Sequence, residues 1–245
     1  MKGSGLVVGA GYANGVGGAA ALAFAESGCH MVAMGRSADK LATIPAAAGT
    51  LDAHVDIVTG DVTDPSEIEA AVTRAEALGP LRVVVFNAGT NVIKGFLETT
   101  PEEAEVMWRT NALAGFVTIQ AALRRMVPHG QGTILVTGAT AALRGGKGFS
   151  AFAGSKAALR NYAQSAAREF GPKGVHVCHL IVDGVISGDR TMTEAKGALK
   201  SYIDSKPENE FLTPRSIAAA MVMLAGQPTD AWTFELDLRP ATETW

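Results

Sequence analysis

The chain has 245 residues, 47% hydrophobic and 18% charged, with a net charge of −3, which suffices for one large core and predicts a single domain over 1–245. So small a charge, with no long basic run, argues against nucleic acid or an anionic membrane as partner and leaves a small-molecule substrate. Two cysteines, Cys29 and Cys178, fall in predicted strands, the pattern of buried thiols in a reducing, cytoplasmic compartment, and no Cys/His spacing suits a metal.

The first predicted strand, Leu6-Val7-Val8, is followed by Gly9-Ala10-Gly11-Tyr12-Ala13-Asn14-Gly15-Val16-Gly17 and an alanine-rich helix through Ala25. Strand, glycine turn and helix together bring bare backbone amides to a pyrophosphate at a helix N-terminus. Gly11, Gly15 and Gly17 fit the spacing Gly-x3-Gly-x-Gly, with Asn14 and Val16 in the same turn. Purely steric turns also collect glycines. Residues 3 to 25 are uncharged, but seven glycines and Asn14 interrupt them, so they form neither a signal core nor a membrane span.

The second strand, Met31–Met34, ends in Gly35-Arg36-Ser37, where a chain of this architecture meets the adenosine ribose. An acidic residue would accept hydrogen bonds from both ribose hydroxyls. Glycine followed by arginine instead leaves room for a 2′-phosphate and supplies a guanidinium, which favours NADP over NAD. A solvated arginine after a strand gives the same pattern.

Further strands are predicted at Val55–Thr59, Val83–Phe86, Thr133–Thr137, Val175–Ile181 and near Trp232–Leu236. Asp64-Pro65-Ser66-Glu67 and Thr100-Pro101-Glu102-Glu103 each place a cap, a first-turn proline and a glutamate three residues on. After Asp64, the positions Ile68, Ala71, Val72, Ala75 and Leu78 share one helical face. The alternation predicts an α/β fold, a Rossmann-like doubly wound parallel sheet with helices on both faces. Residues 188–210 read as a lid over the substrate or as an exposed loop helix. The alternating stretch 232–238 suits an edge or interface strand.

With these residues in order, the chain resembles the short-chain dehydrogenase/reductase family over essentially its whole length. Its Gly-x3-Gly-x-Gly falls on Gly11, Gly15 and Gly17, its adenine-contacting pair on Asp61-Val62, and its post-strand motif on Asn87-Ala88-Gly89. Asn111 matches the helix asparagine of the active site, and Ser155-Lys156-Ala157-Ala158-Leu159 the segment holding the lysine of the nicotinamide ribose. Gly184, Val185 and Ile186 match the segment meeting the nicotinamide amide, with Asp183 in place of its proline and expected to cap the next turn. The resemblance also implies a homodimer or homotetramer, joined through long helices at 101–127 and 151–171 or through the last strand. Singly, each motif has a plainer role: Asp61 closing a strand, Asn87-Ala88-Gly89 a strand exit, Lys156 a solvated helix residue, Asn111 a helix kink.

One departure matters. The family's tyrosine, four residues before the lysine, corresponds to Phe152, and its serine, thirteen before the tyrosine, to Ala139. Other registers fail: Leu143 precedes Lys147, Glu169 precedes Lys173, and the wider spacing of related enoyl reductases gives Phe149. Tyr162 lies about 240° round the helix from Lys156, while Tyr202, in the variable segment, has a conceivable path to the site. The candidates for proton handling are therefore Asn111 and Lys156 with a water between them, the Lys156 ammonium itself, and Thr140, whose plainer role is a hydroxyl bonding its own turn. Phe149, Phe152 and Met192 suggest an apolar substrate pocket or simply core. Two functions stay open: an NADP-dependent oxidoreductase with an altered proton relay, acting on a small carbonyl, alcohol or activated alkene, and a non-catalytic NADP-binding sensor or inactive partner subunit.

Overall fold

The computed structural model describes residues 2–194, 197–207 and 210–243. β1 (Gly3–Val8) leads through the glycine turn to α1 (Val16–Glu26), β2 (Cys29–Gly35) to α2 (Ala38–Ala48), and β3 (Val55–Thr59) to α3 (Pro65–Glu76). β4 (Leu81–Phe86) is followed by α4 (Pro101–Trp108), a π turn at Arg109–Leu113 and α5 (Ala114–Met126). β5 (Gly132–Thr137) passes a 3-10 turn at Thr140–Ala142 into α6 (Ser150–Phe170). β6 (Val175–Val182) continues through α7 (Asp189–Glu194), α8 (Gly197–Ser205) and α9 (Pro214–Ala225) to β7 (Glu235–Leu238).

The seven strands are parallel in the order β3-β2-β1-β4-β5-β6-β7, the doubly wound sheet expected from the alternation. Leu6, Val84, Phe86 and Ile134 face α3, α5 and α6. Val7, Met31, Val85 and Leu135 face α1, α2 and α9. With both faces covered, strands read as continuous apolar runs, and every residue of β6 is buried. The chain order reverses between β1 and β4, which opens a crevice at the carboxyl ends of the strands.

Local signals set the helix starts. Asp64 accepts from Ser66 N–H at 2.8 Å, but Glu67 turns to the Asp61 N–H at 2.6 Å instead of closing a box. At Thr100 and Glu103 the reciprocal box is complete. Ile68, Ala71, Val72 and Ala75 are buried as their spacing predicts, with Leu78 packed beside them.

The start of the last strand is corrected, and two other segments gain detail. β7 begins at Glu235, not near Trp232. Trp232 stacks on His176 at 4.9 Å, and the Gln227 side chain holds Thr233 through two 2.8 Å bonds, so the backbone before residue 234 is committed to a loop. The long helix expected over 101–127 contains the π turn, which swings one residue inward. The 188–210 segment is chiefly α7 and α8 where described, rooted by Asp189, whose N–H donates to Asn14 O and whose Oδ1 accepts from Asn14 Nδ2, both at 2.9 Å. Cys29 and Cys178 are free and buried, burial pushing their thiols up to about 11 and about 12. Among the described residues no helix is long and apolar enough to cross a membrane, and no group of His, Cys, Asp or Glu could hold a metal.

Candidate active site

The crevice begins where β1 and β4 end. Gly9 has φ +93, and a Cβ there would stand 2.2 Å from Ala88 N, so only glycine lets the two loops close backbone to backbone. Asn87 and Ala88 N–H both donate to Val8 O, at 2.8 and 3.1 Å, and Asn87 Nδ2 donates to Gly9 O at 3.0 Å. Gly11 has nothing within 4 Å on its Cβ side. α1 starts from Gly15 without a side-chain cap and without an acid in its first turn. The Ala13 N–H is taken by Thr43 Oγ1 and the Gly15 N–H by Tyr12 O. The Val16 and Gly17 amides thus remain at an open helix N-terminus, an arrangement that fits a pyrophosphate.

The flanking motifs lie along the same rim. Gly35 ends β2, Arg36 is exposed, and Ser37 precedes α2 without capping it. Asp61 accepts from Thr63 N–H and Oγ1, both at 2.8 Å, and these bonds, with Arg36 adding a smaller effect, hold its carboxyl below the usual range. It closes the turn after β3, the plainer of its two roles, while Val62 is buried in the core beside it. Asn14 is engaged by Asp189 and ties the glycine loop to α7. Gly184 has φ +147, Val185 O accepts from Leu212 N–H at 2.9 Å, and Ile186 forms a bridge with Leu212.

Asn111 and Lys156 are brought together. The π turn directs Asn111 inward, fully buried, where Oδ1 accepts from Thr90 N–H at 2.8 Å and Nδ2 donates to Thr90 O and Ser155 Oγ, each at 2.9 Å. Ser155 Oγ in turn donates to Phe152 O at 2.8 Å. A Cβ on Gly89 would lie 3.5 Å from Asn111 Oδ1 and 3.7 Å from Lys156 Nζ, which puts the β4 exit beside both. Lys156, only 5% exposed, donates to Thr137 O at 2.9 Å. Burial pushes its ammonium down to about 8. The Phe152 ring centroid lies 5.9 Å from Nζ and 6.5 Å from the Phe149 ring, whereas Met192 is exposed.

Thr140 and Asp183 meet across the ends of β5 and β6. The Thr140 hydroxyl donates to Asp183 Oδ1, and Asp183 Oδ2 lies 3.4 Å from Arg239 Nη1. Asp183, expected to cap the next turn, is instead engaged by a hydroxyl and a guanidinium far along the chain. Among the tyrosines, Tyr162 packs edge-on against Phe116 at 5.2 Å on the outer face of α5 and α6, and Tyr12 lies under Lys40. The Tyr202 side chain lies outside the described residues. Sequence reasoning also missed Arg190, whose Nη1 donates to Gly89 O at 3.3 Å and links α7 to the β4 exit. Its only signal was a basic residue in the variable segment.

A family model for short chain dehydrogenases matches residues 6–198. The oxidoreductase asL5 of Sarocladium schorii is 28% identical over 224 residues, covering 91% of this chain and 89% of that protein. A short-chain dehydrogenase structure from Rhodopseudomonas palustris is 37% identical with TM-score 0.82, covering 98% and 99% of the two chains. An alcohol dehydrogenase from Thermococcus sibiricus, solved with 5-hydroxy-NADP, is 27% identical with TM-score 0.83, covering 99% of each. On this match and this fold, the chain belongs to the short-chain dehydrogenase family.

Proposed function

We propose that the protein is an NADP-dependent oxidoreductase acting on a small carbonyl, alcohol or activated alkene, with Lys156 handling the proton. The state of Lys156 carries this reading: a nearly dry ammonium, anchored on Thr137 O and titrating near 8, is matched to proton transfer at neutral pH. Phe152 stands one helical turn before it on the same face, where the family has tyrosine, and Ala139 where it has serine. The phenyl ring donates no proton but shields one side of the ammonium from water. A bound nicotinamide supplies or takes the hydride. Asn111, satisfied at every polar atom, braces the β4 exit against α6. The substrate that gains most from such a site is one needing little acid help, such as an enone or a carbonyl polarised by its own substituents.

The Thr140 hydroxyl donates its hydrogen to Asp183, which leaves the Thr140 oxygen lone pairs to accept a hydrogen bond from a substrate hydroxyl. Thr140→Val removes this hydroxyl, and because both directions share one transition state it is expected to lower kcat/KM for alcohol oxidation and for the reverse carbonyl reduction alike, by roughly 10², with NADPH affinity unchanged. Initial rates measured in both directions check this.

The cofactor preference rests on Gly35 and Arg36. NADPH is expected to bind more tightly than NADH, and Arg36→Ala to lose about tenfold or more of that preference, the worth of one charge-assisted hydrogen bond. Fluorescence titration decides it, and equal wild-type affinities overturn the assignment. Turnover is tested by following NADPH oxidation with ketones and enones. Tight NADPH binding with no consumption by any acceptor would establish the binding-only sensor instead.

A further inference from the structure

β6 carries a histidine that the proposed chemistry does not use. His179 is fully buried, and its strand neighbours Val175 and Val177 on the same face belong to the core under α6. Its Nδ1 lies 3.0 Å from Glu235 Oε2 on β7, and both arms of Arg160 from α6 grip that carboxylate, at 2.6 and 2.9 Å. The Arg160 hydrogen bonds hold the Glu235 carboxyl below its usual range. Burial pushes the His179 imidazole down to about 4, with the Lys156 and Arg160 charges adding to the effect and Glu235 opposing it. The ring is therefore neutral and the carboxylate ionised. A carboxylate only accepts, so the ring hydrogen sits on Nδ1 and Nε2 is left as a bare lone pair.

That lone pair has no hydrogen-bond partner among the described residues, and a buried polar atom in this condition costs about 1–3 kcal/mol. Its location accounts for tolerating the cost. Nε2 faces Gly138 so closely that a Cβ there would stand 2.1 Å away. Gly138 adjoins Thr137, whose carbonyl anchors Lys156 Nζ. The acceptor thus lies under the peptide next to the lysine's anchor, and the lysine charge opposes protonation of the ring. Of three ammonium hydrogens only one is assigned, to Thr137 O.

We propose that His179, fixed as the Nδ1–H tautomer by Glu235 and Arg160, is a positioning residue whose Nε2 lone pair draws the Lys156 ammonium inward and favours its charged form. The arrangement repeats the division of labour by which a carboxylate orients an imidazole toward a third group. It rests on reading Lys156 as the site lysine, but its test is independent of turnover.

The experiment is nitrogen and carbon NMR on the apoprotein, with the lysine signal assigned by its loss in Lys156→Met. The wild type should show His179 protonated on Nδ1 at pH 7, and Lys156 titrating near 8. His179→Phe should lower that midpoint by half a pH unit or more, and His179→Gln, which returns an acceptor near the Nε2 position, should restore it. An Nε2–H tautomer in the wild type overturns the proposal even where no variant folds. An unchanged Lys156 midpoint in a folded His179→Phe protein overturns it as well. If these shifts are seen while no substrate consumes NADPH, the positioning role stands and the oxidoreductase reading falls.

Discussion

Phe152→Tyr combined with Ala139→Ser is expected to raise NADPH-linked ketone reduction by roughly 10²–10⁴, the range that a positioned general acid contributes. The scaffold for the gain is already built. The Phe152 ring is half-buried with its centroid 5.9 Å from Lys156 Nζ, so a phenol there comes under the influence of an ammonium that lowers its pKa. Ala139 is extended, φ −156 and ψ 166, at the head of the turn that carries Thr140. A serine hydroxyl at that position adds a donor for the oxyanion, whose loss elsewhere costs about 10² or more. Either single change should yield less than the pair, since the two groups act on one oxygen. Initial rates of NADPH oxidation over a ketone panel make the comparison. A well-folded double variant with no gain would mean that the β5–α6 rim does not present a carbonyl to the hydride. A wild type inert toward every acceptor, beside an active double variant, would assign the natural chain a binding role.

The sheet was legible because burial on both faces writes itself into composition. Strands such as β5 and β6 are dominated by buried apolar residues, and helices elsewhere in the alternation declare their starts through Asp64 and Thr100. The glycine turn was legible for a related reason: backbone contact between Gly9 and Ala88 leaves no room for a side chain. What escaped depends on partners far apart in sequence. Asp183 looked like a local cap, yet Thr140, which donates to it, lies 43 positions earlier and Arg239 lies beyond β7. His179 looked like one more strand residue, and its partner Glu235 is 56 positions on. Neither pairing exists until the sheet brings β5, β6 and β7 side by side. The π turn at Arg109–Leu113 is likewise invisible locally, since its residues would suit an α-helix equally. It is set by the hydrogen bonds that Asn111 finds on Thr90 and Ser155.

Lys156→Met is expected to cut turnover by roughly 10³ or more while stabilising the apoprotein, and the two effects share a cause. Moving a lysine titration from 10.5 to about 8 corresponds to a burial penalty on the order of 3 kcal/mol. Methionine fills similar space without the charge. Against this stands the lost bond to Thr137 O, worth about 1 to 2 kcal/mol. The net expectation is a gain on the order of 1 kcal/mol near pH 7, read as a rise of about 2–4 °C in Tm for a chain of this size. The pH dependence identifies the source. Below pH 8 both folded and unfolded lysine hold the proton, and the folded state bears the full penalty. Between about 8 and 10.5 the unfolded chain still binds the proton and the folded one has released it, so wild-type stability climbs relative to the variant. Above that window both states are neutral, the penalty is gone, and the wild type, with its bond to Thr137 O, becomes the more stable of the two. A stability difference flat from pH 7 to pH 11 would show that Lys156 is not a buried titrating amine. Wild-type rates of NADPH oxidation in the variant would show that it is not the proton carrier.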